Sequence, residues 1–190
     1  MQRILGIDPG TRFCGGALLV DGALDWHQTL VASPALPTGE DEILHWYRRW
    51  RGIVRCTQPT VIVIEDYTWQ GSERTSANAA LMWQQVGALR CLGALPPSPQ
   101  IALLAPRAWR QQLVGRGLPK KGSTEIDAAV AWVLTQRLGA ACDPRSKGDG
   151  HWVDAAGIAL AWWDTQHLLA CEQPGAAPPQ SRLLDTACQK

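Results

Sequence analysis

RILGIDPGTR, residues Arg3 to Arg12, is the stretch on which the fold turns. Arg3 to Asp8 has the character of a core strand, yet it finishes on a carboxylate and turns at once through Pro9 and Gly10. Burying an unpaired carboxylate is costly, so Asp8 belongs at the wet end of its strand, beside a cation or a donor. Asp-Pro-Gly also suits a plain turn between two strands, with no further role for the acid. The rest of the chain has to decide between these readings.

A second run repeats the pattern. TVIVIE, Thr60 to Glu65, is short, β-branched and apolar until it ends on an acid. Such a run suits a strand covered on both faces, as in a parallel sheet. If the strands ending at Asp8 and Glu65 lie side by side and parallel, their carboxylates meet at one rim. The carboxyl ends of strands are where sites form in α/β sheets.

The intervening elements are consistent with that sheet. Cys14 to Val20 and Ala23 to Val31 read as strands, joined by the hairpin signal Asp21-Gly22. Glu40 to Cys56 begins with acids and carries Ile43, Trp46, Tyr47, Trp50, Ile53 and Val54 at helical spacing. Ser76 to Leu92 reads as a second helix and Gln100 to Leu104 as a fifth strand. Pro106 to Val114 is a short helix with proline in its first turn. Ser123 to Leu138 and His151 to about Ala170 complete the helices. The order predicts an α/β domain with a five-stranded mixed sheet flanked by helices.

Composition sets the outer limits. The 190 residues suit one domain, expected over 1–170, with the Pro/Gly-rich residues 171–190 as a flexible tail. No apolar run approaches the roughly 18 residues that span a bilayer. Nor does the N-terminus have a signal-peptide layout, so a cytoplasmic protein without a membrane partner is expected. Cys14, Cys56, Cys91, Cys142, Cys171 and Cys188 form no C-x-x-C pair and read as free thiols, several of them core filler. The ten tryptophans read mainly as large core or interface residues. A formal charge of +1 says little about partners, but Arg107 to Lys121 is locally basic.

GDGHWVDAAGIALAWW adds a third polar feature. His151 and Asp154 stand three residues apart, on one face at the start of a helix that is otherwise small or apolar. A helix cap would satisfy Asp149 or His151 without any chemistry. Carboxylates in contact repel, so Asp8 and Glu65 call for a divalent cation, to which this pair could contribute, and hard oxygen ligands suit Mg²⁺ or Mn²⁺.

ILGIDPGTRFCGGALL, VIVIEDY and GHWVDAAGIALAW, in this order and spacing, resemble the RuvC-type Holliday junction resolvases of the ribonuclease H-like nuclease superfamily. The likeness runs from the first strand to about residue 165. Each motif alone is weak, because hydrophobic-Asp-x-Gly also opens actin-like ATPases. The resemblance implies a ribonuclease H-like fold and catalytic, metal-binding positions at Asp8, Glu65, His151 and Asp154. This chain has His151 where many members have Asp, so His151 is either a metal ligand or an aid to the attacking water, with Asp149 the fallback ligand. The implied activity is that of a crossover junction endodeoxyribonuclease. It hydrolyses phosphodiesters with two metal ions and leaves 5′-phosphate and 3′-hydroxyl ends, in DNA recombination and repair.

The same resemblance suggests how DNA is held. Arg107, Arg110, Arg116, Lys120 and Lys121 lie in a stretch free of acids, and Arg110 and Lys121 match basic phosphate-contacting positions. A solvated basic face is the plainer explanation. Tyr67 or Trp69 falls where resolvases present an aromatic to the junction crossover, and could stack on a base. A four-way junction is two-fold symmetric, so a homodimer is expected, with Ser76 to Leu92 as the matching helix. The alternatives are a related nuclease acting on flaps, forks or other branched nucleic acid, a junction-binding protein without catalysis, and an actin-like ATP-binding protein. The last needs a second lobe and a second phosphate loop, which this chain lacks. No helicase or branch-migration partner is legible.

Overall fold

A computed structural model of the chain describes residues 1–32, 40–66, 77–96, 98–115, 124–140 and 150–172. Five strands, β1 (Arg3–Asp8), β2 (Phe13–Val20), β3 (Ala23–Val31), β4 (Val61–Glu65) and β5 (Gln100–Leu104), form one sheet in the order β3-β2-β1-β4-β5. The first three are antiparallel neighbours, whereas β4 and β5 run parallel to β1. The mixed sheet is as expected.

Tight turns and crossovers explain this topology. Asp21 and Gly22 both have positive φ, 48° and 84°, which matches the twist of a two-residue hairpin. The parallel pair β1 and β4 needs a crossover, and α1 (Glu40–Thr57) supplies it. The remaining helices are α2 (Ala77–Arg90), α3 (Pro106–Val114), α4 (Thr124–Leu138) and α5 (Gly150–Glu172). Cys91–Ala94 forms a 3₁₀ turn after α2, so Leu92 lies beyond the α-helix that the sequence suggested. Helix α5 includes Cys171 and Glu172, which the sequence reading placed in the tail. Residues 173–190 lie outside the described part. Among the described residues no helix is long and apolar enough to cross a membrane.

The sheet is covered on both sides. Leu5, Ile7, Ile62 and Ile64 face Trp46, Trp50, Val54, Val86 and Leu89 of α1 and α2. On the opposite side Ile4, Val61 and Val63 pack with Trp109, Val130, Leu134 and the Ala-rich face of α5. Side chains alternate along a strand, so Asp8 shares the parity of Ile4 and Glu65 that of Val61. Both acids are therefore on the α5 side. The last parallel pair is Ile7 with Ile64, which makes Asp8 and Glu65 the next neighbours in register.

Glycine lets α5 approach closely. A Cβ on Gly15 would collide with the backbone carbonyl of His151, and one on Gly6 with that of Ala155. With small residues on both sides, the first turns of α5 lie directly on β1 and β2. That contact carries His151 to the end of β1.

Candidate active site

At the carboxyl edge of the sheet, Asp8 is 6% exposed, and its Oδ2 is 2.6 Å from Nδ1 of His151. The bond to Asp8 raises the pKa of His151 above its ordinary value, against the opposing effect of burial. A proton on Nδ1 therefore points at the carboxylate. Phe13 stacks on the imidazole, with centroids 5.7 Å apart and planes 15° apart.

Glu65 is held from a different side. Trp109 Nε1 donates to its Oε1 at 2.8 Å, and Arg110 Nη1 lies 3.7 Å from the same oxygen. Arg110 also donates through Nη2 to Asp154 Oδ2 at 2.9 Å, while its guanidinium lies 4.4 Å from the Trp109 ring centroid. Helix α3 thus inserts an aromatic donor and a cation among the acids. Its docking is secured by Gln112, which donates to the Ala161 carbonyl at 2.7 Å and to Thr165 Oγ1 at 2.8 Å.

Burial, reinforced by Asp8, pushes Glu65 up to about 8, although Trp109 and Arg110 pull it down. Burial and Asp8 likewise push Asp154 up to about 7, against Arg110 and His151. The cluster carries more negative charge than one guanidinium relieves.

A scaffold under Asp8 fixes its turn. Gln85 of α2, 2% exposed, donates to the Gly10 carbonyl at 3.3 Å and to Cys14 Sγ at 3.1 Å. Cys14 Sγ accepts from Gly10 N at 3.3 Å and donates to the Gly10 carbonyl at 3.1 Å. Trp46 Nε1 donates to the Thr11 carbonyl at 3.2 Å. Burial pushes the Cys14 thiol up to about 12, so it serves as a neutral hydrogen-bonding group. Cys56 and Cys91 are free and exposed, and so are not core filler.

Four predicted positions, Asp8, Glu65, His151 and Asp154, are therefore brought together at one edge. Arg110, read from sequence as a phosphate contact, stands among these acids, while Arg107 is exposed on α3. Tyr67, Trp69, Arg116, Lys120, Lys121 and Asp149 lie outside the described residues. The sequence reading missed Trp109 and Gln85 as supports of the site. Gln85 did leave a signal, being an amide at helical spacing between Leu81 and Leu89.

Among the described residues no three His, Cys, Asp or Glu side chains are spaced ready for one metal ion. The spacing follows from Arg110 spanning Glu65 and Asp154, and from His151 engaging Asp8. The donor chemistry nevertheless fits a hard divalent cation, because three carboxylates gather at one edge and Asp8 adds to the raised proton affinity of both Glu65 and Asp154.

No family model matches the chain. It is 28% identical over 194 residues to the crossover junction endodeoxyribonuclease RuvC of Frankia alni, covering 95% of this chain and 88% of that protein. Thermus thermophilus RuvC, solved in complex with a Holliday junction substrate, superposes with a TM-score of 0.67 at 23% identity, covering 85% of this chain and 92% of that one. This chain has the RuvC-type resolvase fold. The yeast mitochondrial Holliday junction resolvase Ydc2 shares it at a TM-score of 0.61 and 15% identity, over 87% of this chain and 80% of that one. In this RuvC-type fold the acid cluster occupies the carboxyl edge of β1 and β4, where helices α3 and α5 meet the sheet.

Proposed function

We propose that this chain is a structure-selective DNA endonuclease that resolves four-way junctions by phosphodiester hydrolysis, leaving 5′-phosphate and 3′-hydroxyl ends, in recombination and repair. One observation carries the reading: Asp8 and Glu65 end adjacent parallel strands, with His151 and Asp154 directed to the same edge by α5. That edge belongs to a fold shared with RuvC of T. thermophilus, whose structure contains a Holliday junction substrate.

The residues divide the work. Asp8, Glu65 and Asp154 are the oxygen donors that would hold two Mg²⁺ or Mn²⁺ ions, with His151 either a further donor or the group that assists the attacking water. Such ions, when bound, stabilise the charge on the attacking and leaving oxygens of an in-line displacement. Trp109 fixes the orientation of Glu65 through its indole N–H. With Nδ1 donating to Asp8, neutral His151 keeps Nε2 as an acceptor that can take a proton from water. Arg107, Arg116, Lys120 and Lys121 would neutralise backbone phosphates, and Tyr67 or Trp69 would meet the crossover bases. We further infer a homodimer of a cytoplasmic protein, since two opposed strands must be cut.

The test uses labelled four-way, forked and linear DNA in Mg²⁺, Mn²⁺ or EDTA. The expected result is paired nicking of the four-way junction, lost in EDTA and reduced by at least about 100-fold in Asp8→Asn. Undiminished cutting by that variant would remove Asp8 from the chemistry. Preferential cutting of flaps or forks would favour the related branched-DNA nucleases. A non-catalytic junction-binding role draws support from Arg110 lying across Glu65 and Asp154. Tight junction binding without cleavage in either metal would select it.

A further inference from the structure

Arg110 is placed unusually for a residue that meets a nucleic-acid backbone. Its guanidinium faces inward, 2.9 Å from Asp154 and 3.7 Å from Glu65, and its side chain is only 18% exposed. Trp109 accounts for that direction. Its ring is fully buried, its N–H is committed to Glu65, and its face carries the guanidinium at 4.4 Å. A planar cation stacked on a fixed ring has a preferred resting place. Here that place lies between two carboxylates of the cluster. A divalent cation bound to Glu65 and Asp154 would meet a like charge at contact distance.

We propose that Arg110 is an internal counter-cation that competes with the metal for Glu65 and Asp154, so that ion entry requires the guanidinium to leave its seat between them. This rests on the nuclease reading for the identity of the ion but not for the competition itself. Arg110 is then a positioning residue that sets how much free metal the site needs. In the absence of the ion it holds two half-buried acids at the separation seen here. Once displaced, it is at the mouth of the same edge, where a phosphate is an equivalent partner for its fork of donors.

The competition predicts a change in metal affinity that requires no DNA. Mn²⁺ titrated into the full-length protein near pH 8, followed by calorimetry or by loss of the free-ion EPR signal, should bind Arg110→Gln about tenfold more tightly than the parent. Arg110→Lys keeps the charge and guards against a folding defect in the neutral variant. Lacking the planar fork that stacks on Trp109, it should bind the ion with an affinity between those of the parent and Arg110→Gln. Arg110→Gln binding no more tightly than the parent would overturn the proposal. So would Arg110→Lys binding as tightly as Arg110→Gln, because charge would then not be the competitor. A parent that cuts junctions while Arg110→Gln titrates like the parent loses only this inference. A parent that cuts nothing yet shows the tenfold change loses only the nuclease reading.

Discussion

Glu65 and Asp154 are acids whose proton affinity the fold raises, through burial and through their repulsion by Asp8. The native state therefore holds protons that the unfolded chain releases. Over the range from the ordinary Glu value of 4.5 up to about 8, stability should fall as pH rises. His151 acts in the same direction, since its raised pKa contributes stability at low pH that is lost as pH passes through the folded value. The melting temperature of metal-free protein is thus expected to decline from about pH 5 to about pH 8.5, and Mg²⁺ or Mn²⁺ should restore it at the upper end. A melting temperature that is flat or rises over that range would contradict the charge assignment. The identity of these acids was legible in sequence because each ends an apolar run or opens an apolar helix. Their partners were not. Trp109 and Glu65 are 44 positions apart, and nothing local to either marks the other.

Helix α5 delivers His151 and Asp154 by lying directly on β1 and β2. Its face is built from Ala155, Ala156, Ala159 and Ala161, all fully buried, and the sheet answers with Gly6 and Gly15. Gly15→Ala places a methyl group against the His151 carbonyl, which cannot move without tilting the first turn of the helix. Urea denaturation should show a loss of about 1–3 kcal/mol. Junction cleavage should fall further than stability explains, because His151 would be displaced from Asp8. Wild-type stability in that variant would mean that the close helix–sheet contact is wrong. The helix itself was readable from its small, apolar composition. The glycines that receive it read only as ordinary strand residues, since a strand glycine has many causes.

The two faces of the molecule have separate tasks. Helices α3, α4 and α5 cover the side on which the acids emerge, and α1 and α2 cover the other. Trp83 of α2 is 56% exposed, beside exposed Ala80, Gln84 and Gly87. The sequence reading gave this helix to the expected homodimer because it matches the helix so used in the resolvases, and the outward direction of Trp83 suits that role. Trp83→Glu should shift the protein toward monomer in sedimentation velocity at micromolar concentration. It should also convert paired nicking of a four-way junction into single nicks. An unchanged sedimentation coefficient would count against the proposed dimer through α2.

Alternation, turn chemistry and helical spacing are short-range properties, and they were enough to set out the strands and α-helices of the described residues, down to the bounds of β1, β3, β5 and α3. The order of those elements and the acids that punctuate them also sufficed to suggest one shared edge. The state of charge at that edge was another matter. Asp8 meets His151 across 143 positions, and Arg110 reaches Asp154 across 44. The first depends on how closely α5 seats on β1 and β2 and the second on how α3 packs against α5, both set by how buried surfaces fit together rather than by any local pattern. A basic residue in a basic stretch reads as a surface cation, and only packing turned Arg110 inward.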